Sequence, residues 1–134
     1  MASRTPLTGA TMVATSRVQE IFGDARLMHS EALERLAVGD LRDAAEKAWC
    51  ATKRATDALI LARTGEEPGP TAMTSDYLDS LARQNSNINS LLGRYYSRIS
   101  QLHGSCFYVG HCNDQTERRI RETGIYIEDA ERLT

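Results

Sequence analysis

Apolar residues recur at helical spacing through the first half of the chain. A stripe with members three and four residues apart predicts a helix from about Met12 to Val38. Its members are Ala14, Val18, Ile21, Ala25, Met28, Ala32 and Leu36. A second stripe predicts a helix from Leu41 to Arg63 and consists of Leu41, Ala45, Ala48, Thr52, Ala55, Leu59 and Ala62. Its alanines indicate close approach to a partner helix, and Trp49 beside it supplies the largest packing surface.

Glycine and capping residues predict where these two helices end. Gly39 offers a C-cap for the first helix and Asp40 an N-cap for the second. Such a short connection makes the two helices antiparallel neighbours. Gly65 offers an end to the second helix, and residues 65–70, which contain two of the three prolines, have the composition of a loop.

The second half of the chain predicts shorter helices. Thr74 or Ser75 is the expected cap of a third helix, and the polar residues 83–87 interrupt the pattern. A fourth stripe follows and consists of Ile88, Leu91, Tyr95, Ile99, Leu102 and Cys106. Asp114 with Glu117 resembles a capping box that opens a last helix. No segment requires a strand, so the pattern predicts an all-α, up-and-down bundle of four to five helices, forming one domain over residues 1–134.

Composition narrows the class of protein. A chain of 134 residues is long enough for one hydrophobic core. It has no apolar run of the roughly 20 residues that a membrane span needs, and no secretory signal is visible, so we expect a cytoplasmic protein without a membrane partner. Three cysteines are an odd count, which favours free thiols in a reducing cytosol over a disulfide framework. The net charge of -2 excludes a generally basic nucleic-acid binder, so any anion site must be local.

One segment is depleted in negative charge. The 34 residues from Ser80 to Asn113 contain no Asp or Glu. They contain basic residues at five positions, which are Arg83, Arg94, Arg98, His103 and His111. The segment is also rich in Asn, Ser, Gln and Tyr, whose side chains donate hydrogen bonds. A locally positive helix with many donors favours phosphate binding.

Arg98-Ile99-Ser100-Gln101-Leu102-His103 places a histidine five residues after an arginine within this segment. Its context resembles the HEPN superfamily of small helical bundles, which includes metal-independent ribonucleases and toxins. The stretches that carry the resemblance are the hairpin 36–40, its continuation 44–49 and the segment 102–108. They are most similar to the archaeal, repeat-associated PaREP-like branch, and the resemblance extends over most of the chain.

The resemblance implies a function. In active HEPN proteins the arginine and the histidine line a cleft at a dimer interface and cut RNA, which implies a homodimer with Arg98 and His103 as catalytic residues. His103 is suited to act as base or acid, and Arg98 to hold the scissile phosphate, which gives a 2′,3′-cyclic phosphate without a cofactor. Arg94, Tyr96 and Tyr108 are candidate contacts to phosphate or nucleic acid. Members of the superfamily often pair with a nucleotidyltransferase-like antitoxin, so such a partner is implied by resemblance alone.

Helix geometry constrains this hypothesis. Two residues five positions apart on an α-helix point about 140° away from each other. Arg98 and His103 therefore converge on one phosphate only if the helix bends near Gly104 or if two copies of the helix face each other. The enzyme hypothesis requires one of these arrangements.

Two alternatives remain open. Ile99 stands where active HEPN members carry a polar residue, which favours a non-catalytic helical interaction or scaffold protein that keeps the fold. Four possible zinc ligands also lie within ten residues, namely His103, Cys106, His111 and Cys112. Their spacing matches no closed zinc module, so we predict no metal. Glu46 and Lys47 are expected on a solvated helix face.

Overall fold

The computed structural model describes the backbone of residues 9–134 and the side chains of residues 15–134. Every regular element in this range is helical, which confirms the all-α class. The α-helices are α1 (Gly9–Ala37), α2 (Leu41–Thr64), α3 (Thr71–Gln84), α4 (Ser86–Arg98), α5 (Asp114–Arg121) and α6 (Thr123–Arg132). A π-helix from Ile99 to Tyr108 continues α4 directly. The described helices outnumber the predicted four to five because the last predicted helix is divided at Glu122.

The first two helices form the predicted antiparallel hairpin. Gly39 has a φ of 81°, a left-handed conformation in which glycine is not strained. The Asp40 side chain accepts a hydrogen bond from the backbone N–H of Asp43 at 3.2 Å, as expected for an N-cap. Three ion pairs show that the helices are antiparallel, because the partner's residue number falls as that of the α1 residue rises. They are Arg17–Glu67, Asp24–Arg54 and Arg35–Asp43. The side chain of Ala14, from the predicted stripe of α1, lies outside the described residues.

Helix α2 is the centre of the bundle and contacts each of the other helical elements. Its alanines at 44, 45, 48, 51, 55 and 58 are all 0 % exposed. Because alanine projects little beyond the backbone, neighbouring helices approach α2 closely from several sides. Trp49 fills the wider space beside Tyr95, with the two ring centroids 5.5 Å apart. No helix among residues 9–134 is both long and apolar enough to cross a membrane.

The predicted start of α3 at Thr74 or Ser75 is wrong. The helix begins at Thr71, directly after Pro70, whose fixed φ of -68° suits the residue before a helix. Thr74 is instead buried and donates from Oγ1 to Oδ1 of Asp57 at 2.7 Å. Burial raises the pKa of the Asp57 carboxyl, although Lys53 Nζ at 2.8 Å opposes this shift. Thr74 therefore joins α3 to α2 through a hydrogen bond to a buried carboxylate and does not cap α3.

Asparagines cap the N-termini of α4 and α5. The interruption predicted at residues 83–87 is confirmed, because Asn85 accepts hydrogen bonds from the backbone N–H groups of Asn87 and Ile88 and opens α4. The predicted capping box of Asp114 and Glu117 is wrong by one position, since Asn113 and Thr116 form it. Asparagine caps as well as aspartate does, so the sequence pattern alone did not separate the two registers.

The π-helix changes which residues face the core. From the last residue of α4 onward the buried positions are Arg98, Leu102 and Cys106, which are four residues apart. This spacing suits the wider turn of a helix whose hydrogen bonds run from residue i to i+5. Ile99, predicted as part of the apolar stripe, is only half-buried, and Arg98 takes the interior position. Such irregular turns occur frequently at functional sites.

Cys106 and Cys112 form a disulfide, and Cys50 is the free cysteine of the described chain. This corrects the prediction of three free thiols. The odd number of cysteines argued against a complete framework but did not exclude a single bridge. The turn at Gly110, with a φ of 80°, returns the chain so that the two Cα atoms lie 4.6 Å apart. The bridge ties the end of the π-helix to the segment that leads into α5.

We expect reduction of this disulfide to destabilise the protein. Opening so short a loop costs about 2 kcal/mol in the chain-entropy treatment, which lowers the melting temperature of a chain of this size by roughly 5–10 °C. Calorimetry with and without dithiothreitol measures this shift. The double variant Cys106→Ser, Cys112→Ser should melt like the reduced protein and Cys50→Ser like the oxidised one. An identical melting temperature of the wild type in both buffers would contradict the bridge.

Candidate functional site

The five predicted site residues lie in three different places. Arg94 and Arg98 line one pocket between α4 and α5. His103 and Tyr108 lie together on the π-helix, with ring centroids 4.8 Å apart. Tyr96 faces α3 and donates its hydroxyl hydrogen to Asp79, at 3.0 Å from each carboxylate oxygen. The structure therefore separates a basic pocket from a histidine site, and Tyr96 belongs to neither.

Arg98 is an interior residue, 6 % exposed, held by uncharged partners. Its Nη1 donates to Oγ1 of Thr123 at 2.9 Å, and its Nη2 donates to the backbone carbonyl of Arg119 at 2.9 Å. A longer contact of 3.4 Å joins Nη1 to Oγ1 of Thr52 on α2. The guanidinium carbon also lies 5.5 Å from the ring centroid of Tyr126, a cation–π distance. Arg98 thereby connects α4 to α2, α5 and α6.

No carboxylate among the described residues pairs with Arg98, which is unusual for a buried charge. Burial lowers the pKa of its guanidinium to about 10; Arg94 and Arg119 act in the same direction, whereas Tyr126 and Glu122 oppose the shift. At neutral pH the group still carries its charge. A desolvated cation held by neutral acceptors leaves a positive potential for a ligand to compensate.

The pocket beside Arg98 has a volume of about 270 Å³. It is lined by Gly93, Arg94, Ser97, Arg98, Arg118, Arg119, Glu122 and Ile125. This volume lies just below the ~300–1,000 Å³ of pockets that hold drug-sized ligands. Four arginines against one glutamate give the lining a positive charge.

Two of these arginines are neutralised and two are not. Arg94 pairs with Asp129 at 2.7 Å, and Arg118 lies 4.0 Å from Glu122. The side chain of Arg119, like that of Arg98, has no ion pair within the described part of the chain. An anion in this pocket would therefore meet uncompensated charge from two different helices.

His103 forms a second site with Glu46 of α2. Its Nδ1 lies 2.7 Å from Oε1 and 3.0 Å from Oε2 of the carboxylate. The two side chains are 32 % and 21 % exposed, so the pair is more protected than an ordinary surface ion pair. This overturns the expectation that Glu46 lies on a solvated face. The sequence contained one indication that Glu46 has a role, because it lies near Trp49 in a stretch that carries the resemblance. Its partner His103 could not be recognised from the sequence, since it is 57 residues away.

Aromatic rings surround the imidazole of His103. The Phe107 ring stacks at 6.2 Å and 21°, and the Tyr108 ring meets it edge-on at 4.8 Å. Tyr108 is itself 67 % exposed, so this side of the imidazole is bordered by an accessible aromatic surface. Arg42 of α2 fixes the end of the π-helix by donating Nε to the carbonyl of Phe107 at 2.9 Å. These contacts hold the imidazole plane in one orientation.

The π-helix turns Arg98 and His103 toward the same neighbouring helix, but they do not meet. Arg98 reaches Thr52 and His103 reaches Glu46, positions that are about 9 Å apart along α2. The side chains of Trp49 and Leu102 fill the space on this face. A bend near Gly104 was one of the two arrangements that the enzyme hypothesis requires. The segment is instead a widened helix, which changes the angle between the two residues without bringing their charged groups together in one chain.

The acid-free segment is compensated by acids from other helices. Glu46 on α2, Asp79 on α3 and Asp129 on α6 pair with its His103, Tyr96 and Arg94. The sequence therefore overstates the positive charge of the segment. Arg83 and Arg98 have no acidic partner among the described residues, and of these two Arg98 is the buried one. Among the described residues, no group of three or more His, Cys, Asp or Glu side chains is placed to hold a metal ion. Cys106 and Cys112, two of the alternative zinc ligands, are bonded to each other instead.

The uncompensated charge of Arg98 makes a specific prediction for stability. Arg98→Ala leaves a cavity and should lower the free energy of unfolding by about 2–4 kcal/mol. Arg98→Met fills the space without a buried charge and should stay within about 1 kcal/mol of the wild type, because lost hydrogen bonds are offset by the avoided desolvation. Urea denaturation compares the two variants. Equal destabilisation by both would show that the guanidinium hydrogen bonds outweigh the cost of burying the charge.

Comparison with known proteins assigns the chain to a family. The model of the Archaeal PaREP1/PaREP8 family matches residues 21–130. No curated protein and no solved structure matches the chain. The match includes the α1–α2 hairpin, the basic pocket and the His103 site. Since it covers most of the sequence, the protein belongs to the archaeal PaREP1/PaREP8 family.

Proposed function

We propose that this protein binds the phosphate groups of RNA or of a nucleotide in the pocket between α4 and α5. The observation that carries the proposal is the interior guanidinium of Arg98, which pairs with no carboxylate in the described part of the chain and lines a 270 Å³ pocket together with Arg119. A phosphate oxygen would compensate both groups with charge-assisted hydrogen bonds. The planar guanidinium suits phosphate better than an ammonium group does.

The second part of the proposal is catalysis. HEPN-like endoribonuclease chemistry without a metal needs a proton acceptor for the 2′-hydroxyl and a cation at the scissile phosphate. His103 supplies the first and Arg98 the second. As the 2′-oxygen attacks phosphorus, its proton passes to the imidazole, the bond from phosphorus to the 5′-oxygen breaks, and that oxygen takes up a proton from water. The products are a 2′,3′-cyclic phosphate and a free 5′-hydroxyl.

A homodimer is part of this proposal. Because Arg98 and His103 face different groups within one chain, a single copy does not align them on one phosphate. A two-fold arrangement would set the basic pocket of one protomer opposite the histidine site of its partner. The exposed Tyr108 and Val109, 67 % and 77 % accessible, adjoin the histidine and offer apolar surface for such a contact.

One observation favours a non-catalytic scaffold instead. Arg98 already donates to Thr123 and to the carbonyl of Arg119, and these bonds connect three helices. An arginine fixed in this way stabilises the bundle whether or not a ligand is present. The phosphate-binding function predicts that a folded variant without the Arg98 charge binds phosphate more weakly. The scaffold function predicts no change.

Binding to single-stranded RNA should depend on the pocket. Arg119→Ala should weaken binding roughly tenfold, because a hydrogen bond to a charged group is lost. The slope of log affinity against log salt should fall by about 0.7. Arg121→Ala is the matched control on the same helix, since Arg121 pairs with Glu117 and does not line the pocket. Fluorescence anisotropy measures both, and an equal loss for the two variants would mean that general charge rather than the pocket binds RNA.

Cleavage should require the histidine. RNA incubated with wild-type protein in EDTA should yield 2′,3′-cyclic phosphate ends, and His103→Ala should lower the rate at least about 100-fold, the usual contribution of an acid–base group. Equal traces of cleavage by both proteins would indicate a contaminating nuclease and contradict the enzyme proposal.

Sedimentation at micromolar concentration tests the dimer, and a monomer under conditions that support cleavage would contradict the composite cleft.

A further inference from the structure

We infer that Glu46 is a positioning residue that fixes the tautomer of His103 and makes Nε2 the proton-transferring atom. The inference rests on the proposed function for its chemical purpose, but its geometry stands on the contact between the two side chains. Glu46 is on α2 and His103 on the π-helix, so the contact exists only in the folded bundle. The basic pocket and the sequence motif do not include Glu46.

The contact assigns a hydrogen to one nitrogen. An ionised carboxylate only accepts hydrogen bonds, so a neutral imidazole whose Nδ1 lies 2.7 Å from Oε1 must carry its hydrogen on Nδ1. Nε2 then holds a lone pair. It has no hydrogen-bond partner among the described residues and is not an enclosed atom. The nitrogen that is free to accept a proton is thus the one directed away from Glu46.

This arrangement opposes the intrinsic preference of the side chain. A histidine without partners favours the tautomer with its hydrogen on Nε2, in which the outer nitrogen is a donor and cannot act as a base. Glu46 reverses that preference and, when Nε2 accepts a proton, its negative charge stabilises the resulting imidazolium. The Tyr108 ring, edge-on at 4.8 Å, and the Phe107 ring, near-parallel at 6.2 Å, border the imidazole on two sides.

If the contact between Glu46 and His103 were only structural, the position of the hydrogen on the imidazole would not affect catalysis. A merely structural role would change stability on mutation and leave the kinetics of a folded variant unaltered. A positioning role predicts a change in the ring nitrogens and in kcat. Glu46→Gln keeps the size of the side chain but replaces a pure acceptor with an amide that both donates and accepts, so it separates packing from tautomer control.

The test is nitrogen NMR of the histidine side chains in the whole protein, recorded at a pH at which the spectra show the neutral imidazole. The signals of His103 are assigned by their loss in His103→Ala. Wild-type protein should show the hydrogen of His103 on Nδ1, Glu46→Ala should move it to Nε2, and Glu46→Gln should give a mixture. Glu34→Ala, an exposed glutamate of α1, is the matched control and should leave the spectrum as in the wild type.

Kinetics supply the second readout. If the protein cleaves RNA, Glu46→Gln should lower kcat roughly 10- to 100-fold with little change in KM, a part of the ~10²–10⁴-fold that an acid–base group contributes. A wild-type His103 with its hydrogen on Nε2, or a tautomer unaffected by Glu46→Ala, would overturn the inference even if RNA is cleaved. Absence of cleavage with the hydrogen on Nδ1 would instead reject the enzyme proposal and the proton-transfer role of Nε2, and would leave the control of the tautomer by Glu46 standing.

Discussion

The rest of the structure depends on the small side chains of α2, which let the neighbouring helices pack close to it. Its alanines bring every other helical element close to one central axis. Residues from distant parts of the sequence therefore act on the same helix, with Arg98 reaching Thr52 and His103 reaching Glu46. Larger side chains at the alanine positions would separate the helices and remove both contacts at once. The two candidate sites are consequences of how tightly the bundle packs around α2.

The sequence predicted the elements that local physics decides. The hairpin, its caps at Asp40 and Gly65, and the interruption before α4 follow from periodicity and capping preferences that operate within a few residues. The π-helix does not, because the choice between i→i+4 and i→i+5 bonds is made by tertiary contacts such as the clamp of Arg42 on Phe107. The Cys106–Cys112 bridge likewise depends on how the chain returns at Gly110.

The candidate site was predicted only in part, because a local stretch of sequence does not show which other helices border it. Local charge in the sequence indicated Arg94 and Arg98, and the structure places both in one pocket. Arg118 and Arg119 were missed because they belong to α5, outside the acid-free segment, and Glu46 was missed because its partner is on another helix. Charge along a sequence reports what a segment contributes, whereas the potential at a site depends on every helix that borders it.

The π-helix also sets the length of the chain that this site needs. A wider turn takes up more residues than an α-helix does over the same angle. Deleting one residue between Ile99 and Leu102 would turn every residue that follows by about 100° relative to α4. The imidazole of His103 would then rotate away from Glu46. Insertions and deletions in this stretch of related chains would therefore separate the ability to fold from the ability to hold the histidine, a distinction that residue identity alone does not make.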